Sequence, residues 1–182
     1  MLKPDRFTEK AQEALATSQQ AVQEMRHSQW DVEHVLYALL QPEDGLARKV
    51  LEAAGVDPTA VFAQVKEALG HSPKMASSGT QVYITPRLQQ MFQAADNEAQ
   101  RLKDDFISVE HLLIAMSLEH QGDISKIFAG SRVTQERLYA ALQEVRGGER
   151  VDDPRAEEKY QVLQKYSIDL SELARNGKLD PV

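Results

Sequence analysis

The 182-residue sequence contains no cysteine, which excludes disulfides, thiolate metal sites and a cysteine nucleophile. Basic residues are the minority: 21 Lys and Arg face 28 Asp and Glu, for a net charge of −7. That excludes the clustered positive surface a nucleic-acid backbone requires and suits a chain whose partners are proteins. No apolar run approaches the length of a bilayer span. The opening Met1-Leu2-Lys3-Pro4-Asp5-Arg6 lacks the apolar stretch of a signal peptide. The expectation is therefore a cytoplasmic protein without membrane contact. Also missing are Gly-x-x-x-x-Gly-Lys-Ser/Thr, His-Glu-x-x-His and Gly-x-Ser-x-Gly. Without these there is no evident phosphate cradle, zinc-binding helix face or nucleophile elbow. No catalytic, cofactor-binding or metal site is expected in this chain, and it is not expected to be an enzyme as it stands.

What is present is an apolar fraction of 42%, enough for a real core, and a chain written twice. A shift of 77 positions carries Val32-Glu33-His34-Val35-Leu36 onto Val109-Glu110-His111-Leu112-Leu113. The same shift carries Thr8 onto Thr85, Gln23 onto Gln100, Gly45 onto Gly122, Val56 onto Val133 and Glu67 onto Glu144. One register holds without a gap from Phe7 to Glu144, the signature of a repeat architecture.

Each copy reads as four helices. Phe7, Ala11, Ala14, Leu15, Ser18, Val22 and Met25 form a stripe at helical spacing. Thr8 is placed to cap that helix, as Thr85 followed by Pro86 caps its counterpart. Asp31 and Ser108 are the equivalent caps of the second helices. Gly45 and Gly122 break the chain before the third, and Asp57-Pro58 and Thr134 start the fourth. The fold class is all-α: two tandem four-helix repeats packed about a pseudo-twofold axis, plus a C-terminal helical linker tail. Repeat one spans 7–69, a loop 70–83, and repeat two 84–146, within a domain of 1–146. Val82-Tyr83-Ile84 is too short to count as a strand. The segment 147–182 lies outside the repeat, is highly charged from Glu149 to Glu158, and is expected to be loosely attached. Its last helical stretch carries Tyr160, Leu163, Tyr166, Leu170 and Leu173, with a stop at Asn176-Gly177.

Two Glu-His pairs, Glu33-His34 and Glu110-His111, invite a catalytic or metal-binding reading. Helix-start chemistry accounts for them better: the Glu favours the positive end of the helix dipole, and the His can bond nearby backbone. One pair per copy also offers too few metal ligands unless the copies converge. Trp30, Tyr83 and Phe106 sit near helix starts and read as core or staple residues rather than stacking platforms. Arg101-Leu102-Lys103-Asp104-Asp105 reads as a solvated helix end, with the alternative that Asp104 and Asp105 rim a groove.

Arg6-Phe7-Thr8-Glu9-Lys10-Ala11 and the two Glu-His elements resemble the Clp amino-terminal repeat, over residues from about Arg6 to Val145. Glu158-Lys159-Tyr160 and Leu163-Gln164-Lys165-Tyr166-Ser167-Ile168-Asp169-Leu170 resemble the segment that enters the first ATPase module of ClpB-type disaggregases. The resemblance implies a substrate-binding module that engages unfolded or aggregated clients and passes them to an ATP-driven threading ring. It further implies cooperation with a DnaK-type chaperone system, and ATP and magnesium in the full-length protein only. A homohexamer is implied for the full length, and a monomer for this piece. The family's client-handling positions fall here on Thr8, Asp104 and Glu110, with Phe92 in the floor of an apolar groove. The retained Glu110-His111 resembles the ClpC branch instead. There the alternative is adaptor docking, or recognition of phosphorylated arginine by Glu33 and Glu110.

Overall fold

Short polar side chains open most of the helices. In the computed structural model, which describes residues 3–75 and 81–160, repeat one holds α1 (Glu9–Glu24), α2 (Val32–Leu40), α3 (Leu46–Ala53) and α4 (Pro58–Leu69). Repeat two holds α5 (Pro86–Arg101), α6 (Val109–Ser117), α7 (Gly122–Ser131) and α8 (Gln135–Arg146). The Thr8, Asp57, Thr85 and Thr134 side chains each accept a first-turn N–H, from Ala11, Thr59, Leu88 and Arg137 at 3.0–3.2 Å. These bonds satisfy donors that a helix start otherwise leaves bare. Asp31 and Ser108 cap α2 and α6 as expected, and there histidine is added. The Asp31 N–H donates to His34 Nδ1 at 3.1 Å, and the Ser108 N–H to His111 Nδ1 at 2.8 Å. The Glu-His pairs thus serve helix-start chemistry, the His reaching back as Glu or Gln does in a capping box.

The two repeats are related by the expected pseudo-twofold. α1 packs on α2 as α5 packs on α6, and α3 meets α8 as α4 meets α7. The chain also crosses over. Phe7 pairs in parallel with Ile107, and β1 (Gln29–Trp30) pairs in parallel with β2 (Tyr83–Ile84). The Thr8 N–H donates to the Ile107 carbonyl at 3.0 Å and the Thr85 N–H to the Trp30 carbonyl at 3.1 Å. The 77-residue shift exchanges one pairing for the other. Tyr83 and Ile84 therefore do form a strand, contrary to expectation. Two residues show no alternation to read, and the partner that orders them lies about fifty residues away. Arg26 and Lys103, equivalent under the same shift, both adopt left-handed backbone with φ 58.

One continuous core joins the copies, with Leu36, Leu40 and Leu51 packed into the same cluster as Leu88, Leu112 and Met116. It does not stop at α8. Val151, Ala156 and Tyr160 are fully buried in it. The expectation of a loosely attached tail is corrected for this part: three apolar side chains, spread among charges, are enough to seat residues 149–160 on the domain. The terminal stretch from Leu163 through Asn176-Gly177, and residues 76–80 of the inter-repeat loop, lie outside the described residues. No helix among the described residues is long and apolar enough to cross a membrane.

Candidate functional site

Three of the four expected client residues come together, but not on a surface. Thr8 and Glu110 are 0% exposed and Asp104 is 6% exposed. Thr8, the cap of α1, also donates its hydroxyl to Glu157 Oε1, which takes a second bond from the Val109 N–H at 3.3 Å. Asp104 accepts from Arg146 at 2.8 and 3.1 Å, from the Val151 N–H at 2.9 Å and from His111 Nε2 at 2.8 Å. Because His111 Nδ1 accepts a backbone N–H, Nε2 carries the ring proton and donates. Burial pushes the Asp104 carboxyl up, but the bonds from His111, Arg146 and Val151 outweigh it and hold it at about 2. Asp104 is thus no part of a solvated helix end, and Thr8, Asp104 and Glu110 do not rim an open groove. Arg146, Glu157 and Tyr160, all more than thirty-five residues further along the chain, cover them.

Repeat one repeats the plan with different side chains. His34 Nε2 donates to His27 Nδ1 at 2.8 Å, and the 77-residue shift maps His27 onto Asp104. Burial and the neighbouring His27 push His34 down to about 4. Glu33, the counterpart of Glu110, is also buried but has a cation of its own. The Arg87 guanidinium pairs with Asp31 at 3.2 Å, Glu33 at 3.1 Å and Glu119 at 3.3 Å. Burial works against the Arg87 charge, yet Glu33, Glu119 and Asp31 raise its pKa overall. Burial and Asp31 push Glu33 up, with Arg87 opposing. Gly122 makes room for this cluster: it has φ +87, and a Cβ there would overlap the guanidinium.

The counterpart of Arg87 is Lys10, which turns outward to Glu13 at 3.6 Å. The space Arg87 fills in one repeat is therefore an open cavity of about 360 Å³ in the other, bordered by Lys10, Gly45, Val109 and Glu157.

Phe92 lies apart from the polar cluster, 5% exposed, in the floor of an apolar groove. It stacks edge-on against Phe7 and Trp30, with ring centroids 5.9 and 5.8 Å away. One cavity of about 220 Å³ is lined by Phe7, Leu15, Trp30 and Phe92. A second, of about 310 Å³, shares Gln19 and Trp30 with it and continues to Val82 and Ile84. Trp30 is both core and groove wall. Tyr83, expected inside, stands 63% exposed beside it.

The roles of Arg87, Arg146, Glu157 and Leu15 were not apparent from sequence. Leu15 carried a signal, as a large apolar residue at the edge of the α1 stripe. Arg87 carried a weaker one, as a cation just inside a helix start, where the dipole disfavours it. Arg146 and Glu157 carried none. Among the described residues no three histidine or carboxylate side chains are arranged to hold a metal ion.

The profile of the Clp repeat (R) N-terminal domain matches residues 6–131. The chaperone protein ClpB of Bacillus cereus is 38% identical over 181 residues, covering 98% of this chain and 21% of its own length. ClpB of Rhodopseudomonas palustris is 36% identical over 179 residues, covering 98% of this chain and 20% of its own length. The chain thus spans about a fifth of the length of the curated relatives it matches. Among solved structures, the Hsp104 N-terminal domain from Candida albicans superposes with a TM-score of 0.73 at 19% identity, over 83% of this chain and 98% of that one. A ClpV N-domain in complex with a VipB peptide superposes at 0.61 and 20% identity, over 77% and 86%. At these identities the solved structures speak to the fold. The profile match and the near full-length identity to ClpB chaperones settle the family: this chain belongs to the Clp repeat N-terminal domains.

Proposed function

We propose that this domain is the substrate-engaging module of a longer ATP-driven chaperone and that its client site is the apolar groove of Phe7, Leu15, Trp30 and Phe92. The observation that carries this reading is the continuity of the two cavities along α1, walled on both sides by aromatic and aliphatic side chains. Such a slot suits an extended apolar stretch of unfolded polypeptide. The ClpV N-domain with its VipB peptide gives the fold a precedent for taking peptide. Affinity is micromolar or weaker, because a disordered client loses entropy on docking. Several copies on one ring would compensate through effective concentration. The homohexameric ring, ATP, magnesium and cooperation with a DnaK-type system belong to the longer protein.

Trp30 is the only tryptophan in the sequence and lines both cavities, so its fluorescence reads the groove directly. Titration of the 182-residue chain with a permanently unfolded, non-phosphorylated, tryptophan-free protein should change Trp30 emission saturably. Leu15→Glu, which places a charge on the groove wall, should abolish the change. An unchanged emission in a sample shown to be folded refutes the client groove.

One observation favours a second reading, recognition of phosphorylated arginine, and only at one of its two expected sites. At Glu33 the guanidinium position is occupied by Arg87. The equivalent cavity on the other side is open and bordered by Val109 and Glu157, with Glu110 itself buried and not part of its lining. Phosphoarginine that shifts NMR signals of Val109 and Gly45, and leaves those of Glu33 in place, would support it.

A further inference from the structure

Residues 149–160 cross the polar cluster as a strap with attachments along its length. Arg150 Nε donates to the Lys103 carbonyl at 2.8 Å. The Val151 N–H donates to Asp104 at 2.9 Å, and the Val151 carbonyl accepts from the Asp105 N–H at 2.8 Å. The Pro154 carbonyl accepts from the Glu9 N–H at 2.9 Å, completing the start of α1. Glu157 reaches Thr8, and Tyr160 lies under the Arg146 guanidinium, 5.6 Å from its ring centre.

Beneath the strap, four buried polar atoms have no hydrogen-bond partner among the described residues: both carboxylate oxygens of Glu110, Oε2 of Glu157 and the Tyr160 hydroxyl. Native interiors rarely leave so many in one place. The charges there do not balance either. Among the described residues Arg146 is the one cation in the cluster, committed to Asp104 and 3.6 Å from Glu110. His111 holds a single ring proton and adds no charge, since its Nδ1 accepts from backbone. Arg155 and Lys159 of the strap turn outward to Glu9 and Asp153. In the adjoining cavity Lys10 is paired with Glu13, and Asp44 adds a further carboxylate. Asp104, Glu110 and Glu157 thus share one cation, and two neighbouring buried carboxylates do not both stay ionised.

We propose that residues 149–160 are a proton-locked strap, which when docked fills the Thr8–Asp104–Glu110 site with the chain's own Glu157 and holds a proton on Glu157 beside Glu110. Releasing it uncovers that site beside the client groove. The consequence for clients rests on the client reading above; the lock itself does not.

The direction of the pH response follows from burial. Burial first, and then the Glu110 charge, push the docked Glu157 carboxyl up to about 7 from its ordinary value of 4.5. A released strap returns Glu157 to water. The docked state therefore binds the extra proton between those values. Acidification through that window tightens the strap, and rising pH loosens it until the effect levels off above about 8.

The test is amide hydrogen exchange of the intact 182-residue chain by NMR, from pH 5 to pH 8, corrected for intrinsic exchange. The Val151 N–H reports the strap, and the Leu112 N–H, inside α6, reports global opening. Val151 protection should fall by up to about tenfold per pH unit between pH 5 and 7, while Leu112 protection does not follow it. Glu157→Gln should keep the strap docked with a flat profile. Glu110→Gln, which removes the same surplus charge from the other side, should do likewise. Val151 protection that does not vary with pH in the unaltered chain overturns the lock, as does an undiminished pH slope in both variants. Trp30 emission separates the two proposals. A strap that opens as described with no binding of unfolded protein at any pH removes the client groove and keeps the lock. Binding with a pH-invariant strap does the reverse.

Discussion

Replacing Arg87 with methionine keeps most of its aliphatic stem and removes the charge that Asp31, Glu33 and Glu119 share at 3.1–3.3 Å. Glu33 cannot turn to water for compensation, because its side chain is only 7% exposed. Breaking a buried pair by removing one partner costs about 3–5 kcal/mol. The Arg87 side chain is 27% exposed, so part of its work is screened, and the expectation drops to about 2–4 kcal/mol. The pH dependence has a definite sign. Burial and Asp31 already push Glu33 up against the opposition of Arg87, and losing Arg87 pushes it further. In the variant the folded state then takes up a proton at a pH where the unfolded chain does not. The deficit is full above the raised pKa and shrinks as the pH falls towards the ordinary glutamate value. Urea unfolding at pH 8 and pH 5, comparing Arg87→Met with the unaltered chain, measures both quantities. The pseudo-twofold supplies its own control. Lys10→Met alters the equivalent position, where the side chain is 44% exposed and pairs with the exposed Glu13; it should stay within about 0.5 kcal/mol. A loss below about 1 kcal/mol for Arg87→Met at pH 8, or an equal deficit at both pH values, would refute the reasoning.

Two further outcomes are expected. His34, held at about 4, gains a proton on unfolding between pH 6.5 and 4, so stability falls as the pH drops through that window, by about 3 kcal/mol in all. His34→Gln, which can still reach back to the Asp31 N–H, should remove this component when the two pH profiles of urea unfolding are subtracted; superimposable profiles would exclude it. Thr8→Ala should cost about 1–2 kcal/mol in the same assay through loss of the α1 cap, with a further penalty from the partner taken from Glu157. Thr8→Ser, keeping the hydroxyl, should lose less than half as much, and equal losses would mean that the methyl group matters rather than the bonds.

The parts of this fold that could be read from sequence are those whose causes are local. Thr8, Asp57, Thr85 and Thr134 cap helices through atoms three residues away or fewer, and the 77-residue repeat pairs every element with its twin. What escaped notice depends on distant partners. Asp104 looks solvated beside Lys103 and Asp105, and its burial is set by Arg146 and Val151, more than forty residues further on. Glu110 reads as a helix-start or groove-rim group because nothing adjacent marks it as covered. The strap hid for a similar reason: Val151, Ala156 and Tyr160 are spaced too widely among charges to register as an apolar face. Phe92 lines an apolar cavity together with Leu15 and Trp30, two residues whose sequence pattern reads as ordinary core.

The crossed pairings also bear on how the chain is made. The Thr8 N–H finds its acceptor at Ile107, and the Glu9 N–H finds its acceptor at Pro154. Of the eight repeat helices, the one synthesised first is therefore the last to have its start completed. At ordinary elongation rates of about 5–20 residues per second, roughly 7–30 s separate the synthesis of Glu9 from that of Pro154. Over that interval α1 can pack on α2 and then meet its cross-repeat partner at Ile107, but its start lacks the strap. A helix made early in the domain thus waits for a segment made some 145 residues later before its first turn is complete.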